Sequence, residues 1–531
     1  MRRNMNVALA SLGLLLGTAG CNSFLTGDKL SQNPNLPTAA STTQLFVGVQ
    51  AGQFAFQEGT VAMMMCEWVQ ACSAGNSRFV QQAAQYVFGE TSNIGANGGD
   101  WISVYDAGGL IDMRRVEAGT QAAGDSVWLG ITRTWEALTI GTASAMWGDI
   151  PYSEAVGTSN SPALDNRFVV LGALQTLLDQ AIVDLSGPGP GPGVADLVFG
   201  GAPAKWIRAA WTLKARYYMA TAESLPGTAY TAAIAAALNG ISDPTGASDF
   251  ASFHSTATSE RNMWTQFQTS SGFGTDLEAG KALVDILKAR NDPRLAKYYC
   301  KATTAAWKTA TKYKTNGAIL DPNGNMEQVT AVTLDSLSGA TQPVWPTLVG
   351  ATTVDNHVTW INRGLPYVGD DFNTPPPPPV SNFTCLPSRF QPDARIPYVS
   401  YVENELILAE AYNKTANDAA ALTHLNNARA TVPLAGLVGI TGAALLDSIM
   451  IEKYAAMYQN IESINDYRRT CIPNLTPSAN SQGFVNVPGR LFYPQNERNV
   501  NTNVPDPSVQ LGTHGFRNAG DQHACQNDNS P

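Results

Sequence analysis

The sequence is poor in charged residues and histidines, and it lacks the common catalytic motifs. Charged residues make up 14% of its 531 positions and the five histidines are scattered, so no histidine-based metal site is expected. There is no His-Glu-x-x-His and no Gly-x-Ser-x-Gly, and residues 274–281 have one residue too many between their glycines for a phosphate loop. Zinc proteases, hydrolases with a nucleophile elbow and P-loop nucleotide hydrolases are therefore excluded by motif.

Long hydrophobic runs are also missing after the N-terminus. The best candidate, residues 127–147, is interrupted by Arg133 and Glu136, so the body is predicted to be water-soluble. The net charge is −10, and it becomes −12 if the two N-terminal arginines leave with a signal peptide, since 31 basic residues then stand against 43 acidic ones. Nucleic acid and anionic lipid surfaces would repel such a chain, and its many Gly, Ser, Thr, Asn and Gln residues suit neutral ligands.

Residues 1–20 have the pattern of a bacterial lipoprotein signal peptide. Two arginines precede an apolar run at 7–17 that is too short to span a bilayer, and residues 18–20 are the small residues that signal peptidases require. The threonine at position 18 departs from the usual pattern, which has a large aliphatic residue three before the cysteine. Lipidation of Cys21 would tie a soluble body to a membrane outside the cytoplasm through acyl chains.

Six further cysteines, an even number, fit an oxidising compartment, and they stand at positions 66, 72, 300, 385, 471 and 525. Cys66 and Cys72 are close in sequence, but in a continuous helix their Cα atoms would lie about 9 Å apart, beyond the reach of a disulfide. Either the helix breaks between them or they pair elsewhere. No doubled Cys-x-x-Cys spacing indicates a zinc site.

Helical periodicity dominates two parts of the chain. Apolar residues three and four apart predict helices at 100–119, 126–147, 169–186, 203–223, 230–238, 275–290, 399–412, 418–430 and 445–458. Between them, periodicity largely fades after Tyr299, and five prolines run from 375 to 379. The pattern predicts two helical regions flanking an irregular, loop-rich insertion, which is the better place for a ligand because loops carry function more often than packed helices.

Residues 148–155 read Gly-Asp-Ile-Pro-Tyr-Ser-Glu-Ala after Trp147, where Gly148 and Pro151 can stop a helix. As a signature this segment resembles the SusD/RagB family of surface nutrient-binding lipoproteins. Seven more matches follow in the expected order, at 196–219, 291–299, 398–410, 421–429, 452–454, 466–470 and 490–499. Each match alone is weak, but eight in order are a specific signal that extends from Cys21 to about residue 503.

The resemblance implies a mainly α, SusD-like fold with tetratricopeptide-like helix pairs and a loop-rich insertion that carries short strands. The implied organisation is a signal peptide at 1–20, a lipidated tether at 21–40, a domain at 41–503 and a tail at 504–531. Within the domain, helical regions at about 41–249 and 397–470 flank a ligand region at about 250–396. The tail does not match the family's closing segment and has no interpretation. The acidic residues that mark surface export in some relatives are missing after Cys21, which bears on the direction the anchored protein faces.

The resemblance also implies a protein that binds and releases without catalysis. It would capture oligosaccharides or peptides at the outer membrane, facing the cell surface, and deliver them to a SusC-like TonB-dependent transporter, with no cofactor. A neutral glycan needs flat aromatic faces with hydrogen-bonding side chains nearby. The loop-rich region offers such a set, and the candidate ligand-binding residues are Trp264, Trp307, Trp345, Trp360, Tyr367, Phe372, Asn362 and Arg363.

Other features have simpler interpretations. The tryptophans at 101, 128, 135, 206 and 211 lie on helical stripes and are assigned to the core, while residues 321–327 resemble a calcium loop but are assigned to a plain turn. Arg468 and Arg469 are expected to pair with nearby Glu462 or Asp466. Two further functions remain open: an exported glycoside hydrolase, since two carboxylates leave little sequence trace, and a helical adaptor without a small ligand.

Overall fold

A computed structural model describes residues 40–73, 86, 88–92, 99–269, 277–302, 387–475, 487–512, 516–518 and 520–521, together with the backbone of six strands between 318 and 368. The helices before the loop-rich region are α1 (Thr42–Glu58), α2 (Thr60–Trp68), α3 (Gly99–Tyr105), α4 (Leu110–Ala123), α5 (Ser126–Trp147), α6 (Arg167–Leu185), α7 (Pro203–Met219) and α8 (Pro226–Ala237). The later ones are α9 (Met263–Thr269), α10 (Lys281–Ala289), α11 (Arg294–Tyr298), α12 (Tyr401–Lys414), α13 (Asp418–Ala430), α14 (Gly442–Ala456), α15 (Ser463–Thr470), α16 (Gln495–Val500) and α17 (Pro507–Gly512). The predicted mainly α fold is confirmed.

Helix α5 is the centre of the core, and its ends match the prediction. Asp125 caps its first turn by accepting a hydrogen bond from the backbone N–H of Trp128, and the chain leaves the helix at Gly148, whose φ of +85° suits glycine. Nearly every residue of α5 is buried because α4, α6 and α7 surround it. Gly141 allows the closest approach, since a Cβ there would lie 2.2 Å from the hydroxyl oxygen of Tyr217.

The predicted helix at 100–119 is wrong, because the chain forms α3 and α4 with a break at 106–109. Ala107 and Gly108 both have positive φ at the break, and the side chain of Gln53 on α1 donates a hydrogen bond to the carbonyl of Gly108. A Cβ at Gly52 would lie 2.3 Å from the carbonyl oxygen of Ala107, so α1 packs directly against the break. Tertiary packing therefore overrides the helical periodicity of this segment.

The helices after α5 pack as neighbouring pairs, α7 with α8 and α12 with α13, and α8 also packs on α12. Buried ion pairs join them. Arg216 on α7 makes a bidentate contact with Glu403 on α12, with N–O distances of 2.6 and 2.7 Å. Arg469 on α15 pairs with Glu410 on α12 and, at 2.8 Å, with Asp466, so the expected Arg469–Asp466 pair is confirmed.

One helix within the described residues, α6, is long and apolar enough to span a membrane by length and composition alone. Core helices pass the same test, and α6 packs between α5 and α7. Gln175 on α6 and Lys214 on α7 exchange hydrogen bonds, with the amide donating to the Lys214 carbonyl at 3.0 Å and the ammonium donating to the Gln175 carbonyl at 3.2 Å. These contacts identify α6 as a helix of the packed body.

The strands are short and gather in and around the loop-rich region, as predicted. They are β1 (Cys72–Ser73), β2 (Phe250–Ala251), β3 (Glu278–Gly280), β4 (Cys300–Ala302), β5 (Ala318–Leu320), β6 (Met326–Gln328), β7 (Thr333–Leu337), β8 (Ala340–Val344), β9 (Val358–Trp360), β10 (Pro366–Val368) and β11 (Pro397–Val399). One sheet has the order β1-β3-β9, β4 pairs in parallel with β10, and β2-β11, β5-β6 and β7-β8 are antiparallel pairs.

Cys66 and Cys72 form a disulfide with a Cα–Cα distance of 5.1 Å. Helix α2 ends at Trp68 and Gln70 takes a positive φ of 57°, so the chain turns back between the two cysteines. Of the two alternatives left open by the sequence, the helix break is therefore the correct one. Cys471 is also disulfide-bonded.

The last described segment returns to the core. Trp147 donates a hydrogen bond through Nε1 to the carbonyl of Phe492, and Phe516 is fully buried against Phe88 and Phe492. The carboxylate of Asp521 lies among buried arginines. The described part of the 504–531 segment is thus packed into the body.

Candidate functional site

A groove with a volume of about 340 Å³ opens where three distant parts of the chain meet. Helix α3 forms one wall, the loop that follows α5 forms the second, and helix α16 forms the third. The lining residues are Trp101, Ile102, Tyr105, Asp106, Pro151, Ala155, Val156, Asn160, Pro162, Glu497 and Val500. The Gly-Asp-Ile-Pro-Tyr-Ser-Glu-Ala signature therefore supplies part of one wall of this groove, through Pro151 and Ala155.

The second wall is a loop whose two ends are held together. A backbone bridge joins Ile150 to Asp165, and the carboxylate of Asp165 accepts hydrogen bonds from the backbone N–H groups of Tyr152 and Ser153 at 2.9 and 2.6 Å. Glu154 accepts a further bond from the backbone of Ala163 at 3.0 Å. The loop is consequently a closed Ω-like segment with a defined tip.

Val156 lies at the tip of this loop with a φ of +53°. A β-branched residue in the left-handed region is a conformational outlier and costs on the order of 1–3 kcal/mol. Its side chain is nevertheless partly exposed and lines the groove. The hydrogen bonds at the base of the loop therefore hold an apolar side chain at the groove against backbone strain.

Glu497 on α16 joins the three walls. Its Oε2 accepts a hydrogen bond from Trp101 Nε1 at 3.2 Å, and its Oε1 accepts one from Asn501 Nδ2 at 3.0 Å. The same Asn501 amide donates to the carbonyl of Pro162 in the loop, also at 3.0 Å. Three hydrogen bonds thus connect α3 to the loop, through Glu497 and then Asn501.

Aromatic rings form the floor of the groove. Trp101 meets Trp147 and Tyr493 in edge-to-face contacts with centroid distances of 5.2 and 5.8 Å, and it also contacts Tyr105. Tyr105 donates a hydrogen bond to the carbonyl of Pro151 at 2.9 Å. Burial, together with the nearby Glu497, raises the pKa of Tyr105 well above its ordinary value, so its hydroxyl stays protonated.

The groove presents hydrogen-bond acceptors and negative charge. Asp106 accepts a hydrogen bond from the backbone N–H of Ala107 at 2.8 Å through Oδ1, and Asn160 adds an amide. The described lining residues include two carboxylates and no lysine or arginine. Such a surface accepts hydrogen bonds from hydroxyl and amide donors and repels anions.

A pair of buried glutamates lies behind the signature loop. Glu136 on α5 accepts hydrogen bonds from Tyr152 at 2.7 Å and from Arg114, while Glu117 on α4 lies 4.0 Å from Arg114. Burial, followed by the charge of Glu136, raises the pKa of Glu117 to about 8. Arg114 and Arg133 act in the opposite direction but do not cancel these effects.

Replacing Glu117 with glutamine is expected to raise the free energy of unfolding by about 1–3 kcal/mol at pH 8. Between about pH 4.5 and 8 the folded state keeps a proton on Glu117 that the unfolded chain has released, so wild-type stability falls as pH rises through this range. Glutamine needs no such proton. Urea denaturation at pH 5 and pH 8 measures the difference, with Asp393→Asn, an exposed carboxylate, as the control. The same pH dependence in Glu117→Gln as in the wild type would contradict the assignment.

The structure places the predicted ligand-binding residues as follows. Trp264 is fully buried, packed against Phe390 and Tyr458, so it is a core residue and offers no face to a ligand. Trp360 lies in β9, paired with Ala279, and Tyr367 lies in β10, on a strand close to β9. The remaining candidates lie outside the described residues, and they are Cys21, Trp307, Trp345, Asn362, Arg363 and Phe372.

Sequence reasoning missed the groove. It assigned Trp101 to the core, and that ring is indeed 3% exposed, yet it also lines the groove. The available signal was Gly108-Gly109, which interrupts the helical pattern three residues after Tyr105 and separates α3 as a short element. Within the described residues, no group of three or more His, Cys, Asp or Glu side chains could hold a metal ion.

Comparisons with known proteins add three kinds of finding. A family model for SusD-like proteins, described as starch-binding and associating with the outer membrane, matches residues 34–359. No curated protein sequence matches the chain significantly. Among solved structures, the chain resembles a chitin-binding SusD homologue from Flavobacterium johnsoniae, with a TM-score of 0.64 and 16% identity over 91% of this chain and 98% of the other.

Two further structures have the same fold. A SusD-like protein from Bacteroides thetaiotaomicron gives a TM-score of 0.64 at 17% identity and covers 92% of this chain and 100% of its own. A structure described as a chitin-binding protein gives 0.62 at 18% identity, with coverages of 90% and 98%. At these identities the similarity concerns the fold.

Proposed function

The chain belongs to the SusD-like family, and from this premise we propose that it captures neutral oligosaccharides at the outer membrane for import. The observation that carries the proposal is the family match over residues 34–359, which is more than half of the chain. The family is described as starch-binding, and two structures of the same fold are described as chitin-binding. Starch and chitin are both polymers of uncharged sugars, and the acidic character of this chain agrees with such a ligand class.

The proposed ligand platform lies in the loop-rich region. Its members are those predicted from the sequence without Trp264, namely Trp307, Trp345, Trp360, Tyr367, Phe372, Asn362 and Arg363. Trp360 lies on β9, in the β1-β3-β9 sheet, and Tyr367 lies on β10, which contacts β9. Stacking of sugar rings on tryptophan and tyrosine faces, with the amide and guanidinium binding hydroxyls, would hold the glycan without chemical change.

Anchoring and delivery complete the proposal. Lipidation of Cys21 would hold the protein on the outer membrane, facing the cell surface, and a SusC-like TonB-dependent transporter would receive the captured glycan. Repeated failure to recover such a transporter on affinity purification of the membrane-anchored protein would remove the partner from the proposal. A peptide ligand is the alternative within the same mode of action.

Replacing Trp345 or Trp360 with alanine is expected to weaken glycan binding at least tenfold, because each change removes a stacking face worth about 1.4 kcal/mol or more. The thermal unfolding midpoint should stay near that of the wild type. The matched control is Trp211→Ala, at a tryptophan that packs against the α7–α8–α12 cluster, which should lower stability and leave affinity unchanged. Unaltered affinity in both Trp345→Ala and Trp360→Ala would favour an adaptor without a small ligand.

A further inference from the structure

Three aliphatic side chains from separate parts of the chain are exposed in the groove between α3, the signature loop and α16. Ile102 is 49% exposed, Val156 is 42% exposed and Val500 is 68% exposed, and all three line the same cavity. Scattered exposed apolar residues are ordinary on protein surfaces, but a convergent set over a concave aromatic floor marks a binding surface.

The shape of this surface is maintained against backbone strain at Val156. Val156 adopts its positive φ in a loop whose base is fixed by Asp165 and whose far side is fixed by the hydrogen bonds of Asn501. Strain of this kind persists where the surrounding contacts over-determine it, and it clusters at ligand sites. Glycine at position 156 would relieve the strain, so a purely structural role gives no reason for valine.

The polar groups of the groove specify what it can hold. Asp106 uses Oδ1 for the backbone of Ala107, and among the described residues no group donates to its Oδ2. The carboxylate can therefore accept a hydrogen bond from a ligand hydroxyl or amide N–H. Glu497 adds a second negative charge, and the lining residues that the structure describes include no lysine or arginine to balance the two. An anionic ligand would meet repulsion here, whereas a neutral, donor-rich ligand would not.

The size of the groove limits the ligand further. Its volume of about 340 Å³ lies near the lower end of the range of small-molecule pockets, which is about 300–1,000 Å³. A short stretch of a glycan fits this volume better than a long chain. Pyranose rings combine an apolar C–H face with hydroxyl donors at the edge, which is the pattern that the aliphatic walls and Asp106 complement.

We propose that this groove is a second glycan subsite, separate from the loop-rich platform, that takes a short neutral sugar segment and excludes uronic acids and sulfated sugars. The apolar face of the sugar packs on Ile102, Val156 and Val500, and a hydroxyl or acetamido N–H donates to Asp106. The inference rests on the proposed glycan capture and adds to it a location and a charge selectivity.

Protection of a cysteine placed in the groove tests the subsite directly. In the full-length protein, Ile102→Cys should react with a maleimide, and N-acetylchitotriose or maltotriose at saturating concentration should slow this reaction at least fivefold. Trigalacturonate, an anionic trisaccharide, should give no protection. Val438→Cys, at another exposed valine far along the chain, is the control whose labelling rate no sugar should change. Equal labelling of Ile102→Cys with and without the neutral sugars overturns the proposal.

Two substitutions extend the test to affinity. Asp106→Asn keeps the acceptor for Ala107 but removes the charge, and it should raise the Kd of the neutral trisaccharides about tenfold. Val156→Gly should weaken binding as well while leaving the protein at least as stable as the wild type. If the wild type binds the trisaccharides but neither substitution alters the Kd, the subsite is refuted and glycan capture stands. If the wild type binds no glycan at all, both proposals fail.

Discussion

Replacing Glu403 with alanine is expected to lower the free energy of unfolding by about 3–5 kcal/mol, because it leaves a buried guanidinium without its carboxylate. Arg216 makes a bidentate contact with Glu403 and also donates to the carbonyl of Tyr398. Burial alone would lower the pKa of Arg216, but Glu403 and the more distant Glu462 raise it above its ordinary value, so the group stays charged. The charge then has to be accommodated in a dry interface between α7 and α12.

Denaturant unfolding of three variants isolates this effect. The double variant Arg216→Met/Glu403→Leu should recover most of the lost stability, since replacing both partners of a buried pair by apolar groups of similar volume is often nearly neutral. Arg115→Ala removes one partner of an exposed ion pair with Asp112 and should cost less than about 1 kcal/mol. A loss of under 1 kcal/mol in Glu403→Ala would show that Arg216 is solvated and not buried as described.

Replacing Asp521 with alanine is the second change with a large expected effect, again about 3–5 kcal/mol. Its carboxylate lies 3.3 Å from Arg167 and 3.9 Å from Arg468, and all three side chains are buried. Burial lowers the pKa of Arg468 to about 10, and Asp521 is the main group that opposes this shift. Without Asp521, two buried positive charges would face each other near α5.

Asp521→Asn separates charge from volume, since it keeps the shape and should still lose most of the stability. Asp506→Asn is the matched control, because it changes a carboxylate in the same C-terminal segment that pairs at 3.1 Å with Arg498 at the surface. Thermal unfolding of the three variants provides the measurement. If Asp521→Asn were as stable as the wild type, a structural role for the C-terminal segment would be contradicted.

The sequence predicted the helices whose periodicity and end signals agree. Helix α5 was predicted with its observed bounds, because its apolar stripe lies between Asp125, which caps it, and Gly148, which ends it. Periodicity did not show the break in the predicted 100–119 helix. Gly108-Gly109 is a local sign of it, but the break also depends on the contact between Gly52 and Ala107, which are 55 residues apart in the chain. Local patterns do not contain such long-range contacts.

The charged core was predicted only in part for the same reason. Arg469 pairs with Asp466, three residues away, as expected, but it also pairs with Glu410 from another helix. Arg468 contacts Asp521 from the C-terminal segment. These partners are 53 or more residues distant in sequence and become neighbours only when the helices pack.

The groove was missed because a tryptophan at helical spacing has the same pattern whether it fills a core or forms the floor of a cavity. Trp101 does both, since it packs on Trp147 and Tyr493 while it lines the groove. The signature at 148–155 led to the correct family, but its motif alone did not show which side of the loop faces a ligand. The hydrogen bonds of Asp165 and Glu497 show how the loop is held against the groove.

Isothermal titration calorimetry of the purified protein, with product analysis of the same mixtures, tests the central claim most directly. The panel comprises chito- and malto-oligosaccharides, an oligogalacturonate and peptides. The account predicts saturable heat with a neutral oligosaccharide that is recovered intact. Cleaved oligosaccharide would identify a glycoside hydrolase instead. Saturable heat with peptides only, or the absence of saturable heat with every ligand of the panel, would contradict glycan capture.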